Sequence, residues 1–391
     1  MKKIELDGII MYLISIFPIT TIIQGIPILG NINRVMMLAL LMFMLISILK
    51  KKIKKDNIII IFITFFLYIF AFINTNKNLN LNFNIYVYFL FWVIFFIYIK
   101  DNYIYLTNFI KRKQLFFYRI INIWCIIVLI SLGFKFSYNQ DGFFSPFGCG
   151  EHRFGSCCVM ITAYIYTLIQ LSDKKYLWFY FIIPILGIGM SGARTYLVIY
   201  IILMFCIFYK KYNKKYIFYL SIIPAVIIIF LLIKNSPVGY KFVNTYQNGY
   251  NGLLATFTSG RSNFWKYDID AFNQLSFIKK MMGNGFDFVY YINMKTINLA
   301  IWAHNDFINI LLNFGLIGLS IYLYVFLTFL KEFYKYYSVN KIYRFSMIFI
   351  WLFNAIFNMV YTYVIATLSI PFILFMLCEK NKKGLLNNEG K

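Results

Sequence analysis

FNIYVYFLFWVIFFIYI, from Phe83 to Ile99, contains no charged side chain, and Lys100 and Asp101 follow it directly. A helix rises 1.5 Å per residue, so a run approaching 20 apolar residues is the length that crosses a hydrocarbon core. The same pattern of apolar run and basic punctuation repeats to both sides of this stretch. Before it come Ile9–Leu29, Arg34–Leu49 and Ile58–Ile73. After it come Leu115–Phe134, Ser156–Leu171, Tyr176–Met190, Ala193–Tyr209, Tyr216–Ile233, Phe307–Leu330, Phe345–Val360 and Thr362–Leu377. The pattern predicts an all-α polytopic membrane protein with about twelve transmembrane helices.

Composition agrees. Hydrophobic residues make up 61% of the chain and charged residues 13%, against roughly 25% charged in soluble domains. Mean hydropathy is +0.71. A single soluble core could not hide that much apolar surface, whereas lipid accepts an apolar exterior. The net charge of +24 would suit nucleic acid if it formed one patch. It is instead divided into short clusters between apolar runs, which is a topology signal. The first run has no small-residue cleavage site and reads as a retained helix.

Placing the N-terminus in the cytoplasm and alternating the runs puts most of the 38 Lys and Arg residues inside. Lys2–Lys3, Lys50–Lys55, Lys100, Lys111–Lys113, Lys174–Lys175, Lys210–Lys215, Lys331–Arg344 and the Lys380–Lys391 tail all fall on that side. The short outer loops carry one basic residue each: Arg34, Lys77, Lys135, Arg153 and Arg194. This positive-inside pattern predicts both termini in the cytoplasm, in a cell inner (cytoplasmic) membrane. Four parts follow: an N-terminal bundle over 1–233, a long extracytoplasmic loop over 234–306, C-terminal helices over 307–378 and a cytoplasmic tail over 379–391.

A loop as long as 234–306 is uncommon without structure or function of its own. Ser259-Gly260-Arg261 opens a segment in which Phe264, Trp265, Ile269 and Phe272 fit one helical face, and Gly283-Asn284-Gly285 reads as a tight turn. An amphipathic helix on the membrane surface or capping the bundle explains the pattern.

Outer basic residues run against the topology signal and so become candidates for chemistry. Arg194 sits in Ser191-Gly192-Ala193-Arg194-Thr195, beside small residues and a helix start that favour an anion. Arg153 lies in Glu151-His152-Arg153. Contact with lipid headgroups is the competing account of each. Arg261 and Asp268 are seven residues apart, on one helical face with Trp265 between them; a solvated surface ion pair is the alternative there. His304 precedes Asn305 and Asp306 at the entry to a span and suits proton transfer near neutral pH. His152 stands near Cys149, Cys157 and Cys158. The run could be a metal site, although its spacing fits no common one, and a disulfide from Cys149 to Cys157 or Cys158 is a further alternative outside the cytoplasm. No glycine-rich phosphate loop, His-Glu-x-x-His or Gly-x-Ser-x-Gly motif occurs.

Taken together, four motifs make the chain resemble the O-antigen polymerase and O-antigen ligase superfamily (Wzy-type proteins) of bacterial envelope glycan assembly. They are Ser191–Thr195, Ser259-Gly260-Arg261 with Trp265, Gly283-Asn284-Gly285-Phe286, and His304-Asn305 followed by Asn313-Phe314-Gly315-Leu316-Ile317-Gly318. The resemblance implies a glycosyltransferase that uses a polyprenyl-diphosphate-linked glycan donor without metal or other cofactor. It implies catalytic roles for His304, Arg261 and Arg194, and substrate binding by Arg153, Asp268, Trp265 and Asn305. The implied partners are lipid-linked oligosaccharides, the bilayer, and a chain-length regulator and flippase of the same pathway, with no nucleic acid. A polysaccharide polymerase making capsule, exopolysaccharide or O-antigen is the leading expectation. A ligase is the alternative within the enzyme class. A lipid-linked oligosaccharide flippase is the rival outside it, disfavoured because the spans hold neutral groups such as Gln24, Asn354 and Asn358.

Overall fold

The computed structural model describes residues 5–51, 54–75, 83–172, 174–211 and 260–378, together with Gly239, Ala255 and Thr258. The expected span at Tyr216–Ile233, the first part of the long loop including Ser259, and the tail from Glu379 lie outside the described residues. What is described is helical, without a strand. The helices are α1 (Leu6–Ile23), α2 (Ile32–Lys50), α3 (Lys55–Asn74), α4 (Ile85–Arg112), α5 (Gln114–Ser131), α6 (Glu151–Ser172), α7 (Ile182–Ser191) and α8 (Arg194–Lys211). They continue as α9 (Arg261–Asn273), α10 (Phe277–Met282), α11 (Phe288–Ile297), α12 (Asp306–Tyr336), α13 (Lys341–Phe357) and α14 (Val364–Leu377).

Seven segments are long and apolar enough to cross a membrane: α1, α2 with the turn before it, α3, α4, α5, α6 and α12. Lys175–Ser191 and Val364–Leu377 are shorter apolar helices. The expected number of about twelve crossings is therefore represented by these seven among the described residues. The expected Tyr176–Met190 span divides into a 3-10 stretch, Lys175–Phe181, and α7. Its Pro184 falls in the first turn of α7, where a missing N–H costs no intrahelical bond.

α4 runs well past Ile99, its expected end, to Arg112. Polar partners satisfy the residues that were expected to leave the helix. Lys54 pairs with Asp101 at 3.0 Å, Lys100 Nζ donates to Asn57 Oδ1 at 2.7 Å, and Lys51 Nζ reaches Asn102 Oδ1 at 2.5 Å. Lys51 also pairs with Asp7 at 2.8 Å, and Ser47 and Tyr98 donate hydroxyl protons to the same carboxylate. This clasp joins α1, α2, α3 and α4 at the lysine-rich end of the bundle.

The centre is α14 packed along α6. Every residue of α14 is buried, as is α6 throughout Phe154–Leu168. α3 lies at the periphery, with few buried residues and with Phe62, Phe65, Phe66 and Phe72 exposed. An apolar outer face of that kind is what lipid requires of a peripheral span.

α9, α10 and α11 follow Gly260 and pack beside the start of α12. Trp265 and Phe272 of α9 join a small apolar core with Phe288, Val289, Ala303, Ile308 and Leu312. The face of α9 differs from expectation at one position. Ile269 is 47% exposed, and the buried stripe contains Asp268. α12 is broken at Gly315, whose φ is +68°. A Cβ there would come within 2.4 Å of the Met281 backbone, so glycine allows the α10 turn to seat against the break.

One polar face of α12 fastens its surroundings. Asp306 is fully buried and accepts hydrogen bonds from the Tyr322 hydroxyl at 2.7 Å and from the backbone N–H groups of Val360 and Tyr361. One turn on, Asn309 Oδ1 accepts from Ala303 N at 3.0 Å. Another turn on, Asn313 Nδ2 donates to Phe286 O at 3.2 Å. These three residues, spaced as one helical stripe, tie the segment before α12 and the α13–α14 connection to a single helix.

Candidate functional site

The small-residue turn before Arg194 is built as follows. Ser191 ends α7, and its hydroxyl donates to Ile188 O at 3.0 Å and accepts from Ala193 N at 3.3 Å. Gly192 takes φ +68°, the left-handed residue that closes a helix. Phe143 fills the space where its side chain would stand. The chain then enters α8 with Arg194 as the first helical residue, 5% exposed.

Arg261 occupies the equivalent place on α9, after Gly260 with φ +82°. It is half-buried, and its Nη1 donates to Phe357 O at 3.3 Å. It makes no ion pair among the described residues. Burial lowers the Arg261 pKa below its ordinary value, opposed by Tyr363 and Glu151 nearby. Arg261 is close enough for its charge to act on both Arg194 and His304. The structure thus brings together the three residues expected to be catalytic, from α8, α9 and the segment before α12.

His304 is held from both sides. The Trp265 indole N–H donates to Ala303 O at 2.6 Å, and Ala303 N donates to Asn309. On the other side Asn305 caps α12, its Oδ1 accepting from Ile308 N at 3.2 Å. Between these anchors His304 adopts φ +52°, a conformation uncommon for a residue with a side chain. Its Nδ1 is buried and has no hydrogen-bond partner among the described residues. Burial, and then the Arg261 charge, push its pKa from 6.5 down to about 3. The imidazole is therefore neutral at physiological pH and able to accept a proton.

The residues expected to bind substrate are placed differently from one another. Trp265 and Asn305 position the backbone around His304. Asp268 is fully buried under α9, with neither carboxylate oxygen hydrogen-bonded, and it forms no ion pair with Arg261. Burial raises its pKa from 3.8 to about 7. The solvated Arg261–Asp268 pair considered from the sequence is absent among the described residues. Arg153 is exposed at the start of α6 and lines a cavity that Tyr363 also lines. His152 stands 6.0 Å from the Tyr363 ring and 6.2 Å from Tyr196. Cys149, Cys157 and Cys158 are buried free thiols, so the Cys149 disulfide considered above is not formed. The described residues include no group of three side chains suited to a metal.

Sequence reading missed Asp306 and Tyr363. The first looked like the end of a loop, because a buried carboxylate paired with backbone N–H groups leaves no local pattern. Tyr363 is within electrostatic reach of both Arg153 and Arg261, a relation between α6, α9 and α14 that spacing cannot reveal.

The fold and this cluster define a polytopic helical membrane protein with a cationic site at the end of the bundle opposite the lysine clasp. Residues 179–323 match the family model described as O-antigen ligase, in keeping with the resemblance to the O-antigen polymerase and ligase superfamily. The matched region contains Arg194, Arg261, Trp265, Asp268, His304 and Asn305, and begins after Arg153. No curated protein matches the chain.

Proposed function

We propose that the protein is a polysaccharide polymerase that joins polyprenyl-diphosphate-linked repeat units on the outer face of the cytoplasmic membrane. The observation that carries this reading is Arg261, a half-buried guanidinium with no carboxylate partner among the described residues, beside a neutral His304. An unbalanced buried cation costs stability unless an anion completes it. A diphosphate ester is such an anion, and Arg binds its oxygens bidentately.

In the proposed reaction, an acceptor sugar hydroxyl attacks the anomeric carbon of the donor. A carbon–oxygen bond forms there as the bond to the diphosphate breaks. The hydroxyl proton passes to His304, and the departing diphosphate keeps the electron pair, its charge held by Arg261 and Arg194. The donor is already activated, so the step consumes no nucleotide, and the arginines supply the positive charge that a metal would otherwise bring. Before the donor binds, burial and then the Arg261 charge hold the His304 pKa too low for an efficient base. The incoming diphosphate offsets that charge and raises the pKa toward the working pH, where proton transfer is most effective.

Transfer of a finished glycan to a different acceptor is the second reading, supported by the description of the matched family as ligases. Deletion of the gene separates the two. Loss of a polymerase leaves single repeat units with long chains gone, whereas loss of a ligase leaves long chains on the lipid carrier. Normal long surface glycan in the deletion strain refutes both.

A further inference from the structure

A cavity of ≈ 210 Å³ opens between the end of α1, the starts of α2, α4 and α6, and residues 362–365. Arg34 and Arg153 both line it. Arg34 Nε donates to Asn84 Oδ1 at 3.0 Å, and Arg153 makes no ion pair among the described residues. Three of the lining residues also carry a buried side-chain atom with no hydrogen-bond partner among the described residues: Gln24 Nε2, Asn33 Oδ1 and Thr362 Oγ1. Thr362 is only 7% exposed. Buried polar groups are nearly always paired, and a ligand toward which these side chains turn would pair all three.

The chemistry of the wall selects among anions. A diphosphate offers oxygen acceptors only and has no use for an acceptor such as Asn33 Oδ1. A sugar presents both O–H donors and oxygen acceptors, which suits an amide N–H, an amide oxygen and a hydroxyl together. The rings of Tyr88 and Tyr363 also line the space and offer the flat apolar surface against which a sugar ring packs. The volume lies below the roughly 300 Å³ at which sites for drug-sized ligands begin. It suits one ring better than a lipid diphosphate with its sugar. Two arginines are more than a neutral sugar needs, whereas a carboxylate accepts their paired N–H groups.

We propose that this cavity is a saccharide subsite for an acidic sugar, one bearing a carboxylate, in the repeat unit. The inference rests on the proposed function for the idea that the ligand is a glycan, and it adds that the glycan is acidic. Tyr363 lines this cavity and feels the charge of both Arg153 and Arg261. The proposed subsite is therefore within electrostatic reach of the proposed diphosphate site through a shared neighbour, Tyr363.

The test uses the full chain in nanodiscs of uncharged phosphatidylcholine, titrated by saturation-transfer NMR. The probes are the methyl glycosides of glucuronic and galacturonic acid, each against its neutral counterpart. At least one acid should bind about 10- to 100-fold more tightly than its neutral partner, the range expected of a charge-assisted contact. Arg153→Gln should remove that preference, Arg153→Lys should keep part of it, and Arg261→Gln should leave it intact. Arg153 is exposed, so its variants are not expected to unfold the chain. The proposal is overturned if neither acid is preferred, or if the preference persists in Arg153→Gln and Arg34→Gln. It is also overturned if Arg153→Gln abolishes binding of farnesyl diphosphate, which would make the cavity a lipid-diphosphate site. The readout requires no transfer reaction. A wild-type protein that polymerises lipid-linked units without preferring either acid sinks this inference alone. A protein that prefers the acid and makes no polymer sinks the proposed function alone.

Discussion

Asp268→Asn should make the protein more stable at alkaline pH and remove a pH dependence that the wild type carries. Asp268 is 0% exposed, and neither of its carboxylate oxygens has a hydrogen-bond partner. Its pKa rises through burial from 3.8 to about 7. A group whose pKa is higher folded than unfolded binds more protons in the native state. Its contribution to stability is complete below the unfolded pKa and is lost as pH rises through the folded one. Wild-type stability should therefore fall between about pH 4 and pH 7 by up to ~1.4 kcal/mol per unit from this residue, about 4 kcal/mol in all. Asn is close in size, cannot ionise and carries no such term. Thermal unfolding followed by intrinsic fluorescence in detergent, from pH 5 to pH 8, measures the difference. One kcal/mol moves the Tm of a domain of 150–250 residues by roughly 2–4 °C, and a longer chain by less. The wild-type Tm should then drop by several degrees relative to Asp268→Asn across that range. Parallel pH profiles for the two proteins would refute the buried, unpartnered carboxyl.

Three further outcomes follow from the site. Arg261→Lys keeps the charge but loses the planar fork, so donor affinity should fall by about 10- to 100-fold; unchanged affinity for farnesyl diphosphate would exclude bidentate binding. Because His304 stays neutral down to about pH 3, kcat/KM, which reports the free enzyme, should lack an acid limb near pH 6.5. Arg261→Gln removes one of the two causes and should move the limb upward; an unchanged limb means the two residues are not coupled. A reporter inserted within 234–306 should read extracytoplasmic, and a cytoplasmic signal would overturn the orientation and the proposed reaction with it.

Helix positions were legible in the sequence wherever a long apolar run ended in charge, as at Ile85 and Gln114, because burial in lipid demands little beyond length and hydropathy. Their ends were less so. α4 continues past Lys100 since Asn57, Asp101 and Lys51 satisfy one another across helices that are distant in sequence. The turn before Arg194 could be read because a left-handed residue calls for glycine. That Arg261 stands within electrostatic reach of both Arg194 and His304 could not, because the three residues come from separate elements. Asp268 was the misleading residue. The spacing of seven suggested a surface partner for Arg261, whereas α9 turns that carboxylate inward and exposes Ile269.

In the proposed reaction His304 takes the acceptor proton while Arg261 and Arg194 hold the diphosphate. This assignment is tested by chain growth in proteoliposomes containing the purified protein and lipid-linked repeat units, with no nucleotide and with chelator present. His304→Asn is the informative variant, because Asn tolerates the positive φ that His304 adopts and Ala does not. Removing a general base should lower turnover by about 10²–10⁴-fold while donor binding is retained. Chain growth at the wild-type rate in His304→Asn would contradict the account.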